Sequence, residues 1–267
     1  MQRPVITLIT DFGLTDEYVG ALKGVILSRS SNIEIVDICH TIPPQDITAA
    51  SRLLARSFHY FPPATVHLVI VDPGVGSKRS ILAIAAGDQY FVGPDNGVLS
   101  PVLEHYSSAA VHRVTESELF LQPVSNTFHG RDIMAPVAAH LAVGLAIDRV
   151  GPKMDSNKCT RIERVSPVYN AGKLHGVITH IDSFGNLATN IGRSDIAQYR
   201  GGETIEIHIG DRIITTLSSA YADGPQGALL ALFDSQGYLE IGVNMGNAAQ
   251  ALNITTGTDI TITGVGN

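Results

Sequence analysis

Short apolar runs alternate with longer stretches of helical spacing through the first half of the chain. "VITLIT" (Val5–Thr10) is continuous and β-branched, as expected of a strand buried on both faces. "EYVGALKGVILSRS" (Glu17–Ser30) then repeats apolar residues at helical intervals, and "IEIVDI" (Ile33–Ile38) predicts the next strand. "PPQDITAASRLLARSFHY" (Pro43–Tyr60) predicts a helix with its prolines at the entry, where a missing N–H costs nothing. "TVHLVIV" (Thr65–Val71) predicts a third strand. Strand–helix–strand–helix–strand implies a mostly parallel sheet with right-handed crossovers, a Rossmann-like α/β arrangement. "SILAIAA" and "QYFVG" predict a hairpin about Gly87 and Asp88. "NGVLSPVLEH" predicts a short helix, "AAVHRV" a strand, and "RDIMAPVAAHLAVGL" (Arg131–Leu145) a helix.

The texture changes near Val150. "GPKMDSNKCTRIERVSP" (Gly151–Pro167) is polar, has prolines near both ends and predicts a linker over 151–166. Beyond it come "KLHGVITHID", "ETIEIHI", "RIITTL", "GALLALFD", "YLEIGV", "ALNITT" and "DITITG". Short strands at this spacing predict a small β-barrel or sandwich. The expected organisation is an α/β domain over 1–150 and a β domain over 167–267.

Hydrophobic residues make up 44% of the 267 and charged residues 16%, ample for packed cores. A formal charge of -7 argues against a nucleic-acid face and suits a cationic small molecule. Two distant cysteines, Cys39 and Cys159, fit a reducing compartment. No apolar run reaches membrane-spanning length, so the expectation is a cytoplasmic protein with no membrane partner.

In a parallel sheet, ligands sit beyond the carboxyl ends of the strands. Asp11 follows the first strand and Asp72 the third, whereas Asp37 falls inside the second. A carboxylate with two acceptor oxygens can hold a ribose diol; a cap or turn role is the plainer account. "DPGVGSKR" (Asp72–Arg79) matches neither the P-loop nor the complete dinucleotide fingerprint, so a phosphate cradle is disfavoured. It is either a solvated glycine turn or a loop that folds Arg79 back onto Asp72 to hold a water between charges. "TFHGRD" (Thr127–Asp132) opens a helix. Its Phe128 offers a flat face to a heterocycle, and His129 is the general-base candidate of the ten histidines. In the β domain "HIDSFGNLATNI" groups Asp182, Phe184 and Asn186, and "FDSQGYLEIGVNMGNAA" groups Ser235, Glu240, Asn244 and Asn247; turns explain both equally. No metal motif is present, so no metal is expected.

Taken in order, "ITDFGLTDEYVGALKG", "VDICHTIPPQDITAA", "VDPGVGSKR", "GPDNGVLSPVL", "NTFHGRDIMAPVAAHLA", "IDSFGNLATNI" and "SQGYLEIGVNMGNAA" resemble the S-adenosylmethionine hydroxide adenosyltransferase family. That family is related to the fluorinase and chlorinase enzymes. The resemblance implies an N-terminal α/β domain, a C-terminal β-barrel and a homotrimer with substrate bound between subunits. It implies conversion of S-adenosylmethionine and water to adenosine and methionine, with no further cofactor. The family's catalytic set falls on Asp72, Arg79 and His129. Its substrate contacts fall on Asp11, Asp16, Phe128, Asp182, Asn186, Ser235, Glu240, Val243, Asn244 and Met245.

The chain departs from the halogenases at Gln45, where the fluorinase has an aromatic, and at Asp72, where it has a tyrosine. A carboxylate ~4 Å from a halide costs about 4 kcal/mol at an effective dielectric of 20. That is roughly a thousandfold in binding. A halide-using synthase and a non-catalytic sensor of the same ligand remain the alternatives at this stage.

Overall fold

The structure is a computed structural model describing residues 3–199 and 204–265. It forms two compact units, Met1–Glu163 and Arg164–Asn267. The first is built on β1 (Val5–Thr10), β2 (Glu34–Cys39), β3 (Val66–Ile70), β4 (Ile81–Ala86), β5 (Gln89–Pro94), β6 (Ala110–Arg113) and β7 (Lys153–Met154). Their order in the sheet is β2-β1-β3-β5-β4-β6-β7. The pairs β1–β2, β1–β3 and β3–β5 are parallel, while the β4–β5 hairpin and its neighbours run antiparallel.

Continuous apolar strands reflect cover on both faces. Ile6, Leu8, Leu68 and Ile70 pack with Leu22 and Ile26 of α1 (Tyr18–Arg29) and Val137 and Leu141 of α4 (Ala135–Ala142). Their alternates Ile9, Val69 and Val71 pack with Leu54 of α2 (Ile47–Ser57) and Val102 of α3 (Ser100–His105). The chain leaves β1 toward β2 on one side and returns to β3 on the other. The strand order therefore reverses between β1 and β3, which opens a crevice at their carboxyl ends.

Two local expectations change. The prolines Pro43 and Pro44 lie outside α2; its start is fixed by Asp46, whose carboxylate accepts from Ala49 N at 2.8 Å. The helix expected from Arg131 begins with a wider turn over Gly130–Met134 before α4.

The second unit comprises β8 (Val168–Asn170), β9 (Lys173–Ile181), β10 (Leu187–Gly192), α5 (Arg193–Tyr199), β11 (Thr204–Ile209), β12 (Arg212–Ile214), β13 (Leu217–Ser218), β14 (Leu229–Phe233), β15 (Tyr238–Val243), α6 (Ala248–Leu252) and β16 (Asp259–Val265). Glu203, at the head of the expected β11 stretch, lies outside the described residues. The sheet runs β12-β11-β16-β9-β10-β15-β14-β13, and β12 comes beside β14, so it curls into a nearly closed barrel. Ile178, Leu187, Ile207, Leu239, Ile241 and Ile260 fill its interior. The stretch read as the strand "ALNITT" instead contains the end of α6. Asn247 caps that helix by accepting from Gln250 N at 2.8 Å, and left-handed Asn253 closes it. No helix among the described residues is long and apolar enough to cross a membrane.

Candidate functional site

Asp11 and Asp72 stand just past the ends of β1 and β3, on either side of the crevice. After Asp72 the chain makes two tight turns, Val75 N to Asp72 O at 3.2 Å and Ser77 N to Gly74 O at 3.0 Å. Gly76 takes the left-handed φ of 78° there, open to glycine without strain. The loop thereby returns Arg79 to the carboxylate that precedes it. Arg79 Nε donates to Asp72 Oδ1 at 2.8 Å and Oδ2 at 2.9 Å, and Arg79 Nη2 also bonds Oδ2. Their side chains are only 10% and 6% exposed, so solvent screens this pair little.

The same Arg79 Nη2 lies 3.1 Å from His129 Nδ1. A guanidinium can only donate, so Nδ1 is the acceptor and the ring is neutral, with its proton on Nε2. Burial pushes the imidazole below its ordinary pKa, and the Arg79 charge pushes it further. His129 reaches this place because Gly130, the next residue, lies against β3. A Cβ on Gly130 would come within 3.0 Å of Ile70 Cγ2. Asp132 anchors the same turn from inside: it is fully buried and accepts from Ser125 N and the Arg131 guanidinium. Asn96 Nδ2 holds the Val71 carbonyl at 2.9 Å, just ahead of Asp72.

Around Asp11, the carboxylate Oδ2 accepts from Gln45 N at 2.8 Å, with Gln45 in a left-handed turn. Phe128 packs edge-on against Phe12 (5.6 Å) and Tyr18 (5.4 Å), and the Arg131 guanidinium lies 4.9 Å over its ring. Asp16 is exposed in the loop leading to α1. Phe12, Tyr18, Asn96 and Asp132 escape sequence reading, although all stand inside or beside the motifs that flag their neighbours.

The second unit gathers Asp182, Asn186 and Glu240. Asp182 Oδ1 accepts from Phe184 N and Asn186 N, both at 2.9 Å, and its Oδ2 accepts from Asn186 Nδ2 at 3.0 Å. Tyr221, which nothing in the sequence singles out, joins them. Its hydroxyl donates to Glu240 Oε1 and accepts from Asn186 Nδ2 at 3.3 Å. Burial and the neighbouring Glu240 carboxylate raise the Tyr221 pKa well above the ordinary phenol range. Both Asn186 amide hydrogens are spent this way, so Asn186 presents its carbonyl oxygen as an acceptor.

Val243 ends β15 and Asn244 and Met245 follow it, next to Gly242, which packs against Tyr221 and Asn186; Asn244 Nδ2 is tied to Gly224 O at 2.8 Å. Met245 and Phe184 are strongly exposed there. Ser235 stands apart, in the turn before β15; that six-residue strand puts ~20 Å between it and Val243. Within this unit the structure does not bring Ser235 to the others.

Comparison with known proteins places both units in one family. Residues 6–151 match the SAM hydroxide adenosyltransferase N-terminal domain, and residues 176–261 match the C-terminal domain. The chain is 34% identical to an (R)-S-adenosyl-L-methionine hydrolase of Salinispora tropica, over 97% of this chain and 98% of that one. It is 34% identical to a Thermus thermophilus protein of the same name, over 96% and 97%. A fluorinase of Nocardia brasiliensis is 29% identical over 98% and 97%. A crystal structure of an uncharacterized conserved protein from Thermotoga maritima superposes with a TM-score of 0.88 at 39% identity, covering 97% of this chain and 99% of that one. With both domain models matched in order, and with Asp72, Arg79 and His129 joined at the edge of the sheet, the chain belongs to the SAM hydroxide adenosyltransferase family.

Proposed function

We propose that the protein hydrolyses S-adenosylmethionine, in its (R)-sulfonium form, to adenosine and L-methionine by attack of water on the ribose C5′. The observation that carries this reading is the unbroken chain Asp72–Arg79–His129. A carboxylate has about four lone-pair positions. Arg79 makes three contacts to Asp72, which leaves one for a water that donates to the carboxylate. That water approaches C5′ opposite the sulfonium, the C–S bond breaks, and methionine leaves as a neutral thioether. Asp72 takes the proton from the new C5′–O group. His129 has its Nδ1 lone pair on Arg79, which supports a role in holding the guanidinium in place, with Asp72 as the base in this reading. The sulfonium is itself the leaving group, so the reaction as written needs no metal or cofactor.

Asp11 takes the ribose hydroxyls through its remaining oxygen, and Phe128 packs against the adenosyl group. Asp16, Asp182, Asn186, Glu240, Val243, Asn244 and Met245 complete the substrate contacts; Ser235, at the far end of β15, is left out of this set. The family resemblance supports a homotrimer, and the two distant cysteines, Cys39 and Cys159, suit the cytoplasm.

Fluorinases among the relatives keep a halide-using reading in view. The chemistry at Asp72 separates the two. With Arg79 bonded to it, the carboxylate is largely neutralised, so the charge repulsion reckoned for an isolated Asp72 shrinks. What remains is hydrogen-bond polarity: a halide only accepts, whereas Asp72 needs a donor, and water supplies one.

The test is incubation with S-adenosylmethionine in ¹⁸O-water, with chloride or fluoride present. Equal adenosine and methionine are expected, with ¹⁸O in the adenosine 5′-hydroxyl. A 5′-halo-adenosine product, or adenosine without the label, refutes the reading. Alanine at Asp72 or Arg79 lowers kcat more than it raises KM, because both act on the attacking water.

A further inference from the structure

We infer that His40 is a positioning residue for the ribose subsite, fixing Asp11 from behind through Thr10. This rests on the reading of Asp11 as the ribose-binding carboxylate. His40 and Thr10 are buried, at 4% and 0% exposure, and neither touches the crevice chemistry directly. The direction of every bond in the chain can be deduced. Phe12 N can only donate, and it donates to Thr10 Oγ1 at 3.3 Å. On its other side His40 Nε2 faces the Asp37 carboxylate, which can only accept, so the ring proton belongs on Nε2 and Nδ1, 2.8 Å from Thr10 Oγ1, accepts from the Thr10 O–H. Nε2 lies 3.0 Å from Asp37 Oδ1, close but out of line for a hydrogen bond. Lys23 Nζ holds the other Asp37 oxygen at 2.6 Å. The His40 carbonyl accepts from Gly13 N at 2.7 Å.

His40 thus grips the chain on both sides of Asp11, at Thr10 before it and at Gly13 after it. Gln45 N holds Asp11 Oδ2 from a third direction. The other Asp11 oxygen is held at one height above the end of β1. A carboxylate so fixed pays little ordering entropy when it takes a diol. Released from His40, the loop would still carry the carboxylate but would present it in several orientations.

The readout is discrimination, which a general loss of packing would not change. Calorimetry on the full chain compares adenosine with 2′,3′-dideoxyadenosine, which lacks both hydroxyls. Two charge-assisted hydrogen bonds predict a preference for adenosine of roughly 100-fold. Asp11→Asn is the control and should bring that ratio down to roughly tenfold or less. His40→Leu should do the same while binding dideoxyadenosine as the native protein does. His40→Asn, which keeps an acceptor where Nδ1 stands, should retain most of the ratio. If His40→Leu does not fold, Thr10→Val removes the same link and should give the same fall. An unchanged ratio in His40→Leu or Thr10→Val, with Asp11→Asn collapsed, overturns the role of His40 alone. Equal loss in His40→Leu and His40→Asn also overturns it. An unchanged ratio in Asp11→Asn overturns the ribose reading, and the inference falls with it.

Discussion

Replacing Arg79 by Met strands Asp72 as a carboxylate 6% exposed with no cation, and the size of the effect follows from that. Removing one partner of a buried ion pair costs ~3–5 kcal/mol, because the other charge stays desolvated. The loop is at the sheet edge and not in the core, so the lower figure, about 3 kcal/mol, applies. A unit of this size loses roughly 2–4 °C of Tm per kcal/mol, giving a fall of about 6–12 °C. Replacing both members, Asp72→Leu with Arg79→Met, removes the stranded charge and should recover most of that loss. Activity should behave differently: Arg79→Met, Asp72→Leu alone and the double variant each lose at least roughly 100-fold in kcat, and the double variant is no worse than either single one. Thermal unfolding of the four proteins, with adenosine release measured in parallel, provides the cycle. A single variant within ~0.5 kcal/mol of the native protein would refute the argument that the pair is buried and coupled. So would a double variant less stable than Arg79→Met.

Two further outcomes follow from single side chains. His129 has a folded pKa below its unfolded value of about 6.5, so between the two values only the unfolded chain binds the proton. Stability and kcat/KM should hold as pH falls to about 6.5 and decline below it; His129→Asn should lose this inflection, and a native inflection above 6.5 would contradict the neutral ring. Tyr221→Phe deletes the hydroxyl between Asn186 and the buried Glu240, with an expected cost of ~1–3 kcal/mol by urea unfolding and a raised KM; an unchanged KM would remove Tyr221 from the substrate-binding surface.

The sequence by itself determined the periodic part of this protein. Val5–Thr10 and Thr65–Val71 are apolar on both faces because helices cover both faces, whereas Ile33–Ile38, at the edge of the sheet, interleaves the exposed Glu34 and Asp37, and each pattern is local. The glycines of "DPGVGSKR" likewise announced a loop able to fold Arg79 back seven residues. Contacts between distant segments were a different matter. Arg79 meets His129 fifty residues on only because α4 is laid against β3, with Gly130 allowing the close approach. Thr10 meets His40 because the parallel register of β1 and β2 sets Ile9 beside Cys39, and Asn186 meets Tyr221 because both pack over Gly242 of β15. The neutral state of His129 follows from the same meeting: no spacing in the chain shows that its neighbour is a donor. "ALNITT" shows the limit from the other side, since β-branched residues signalled a strand where the Asn247 cap and left-handed Asn253 enclose a helical turn. Hydrophobic burial is written residue by residue along the chain, whereas which polar group faces which is decided by packing. The chemistry of the site therefore became legible only once the sheet, its crossovers and their registers were in place.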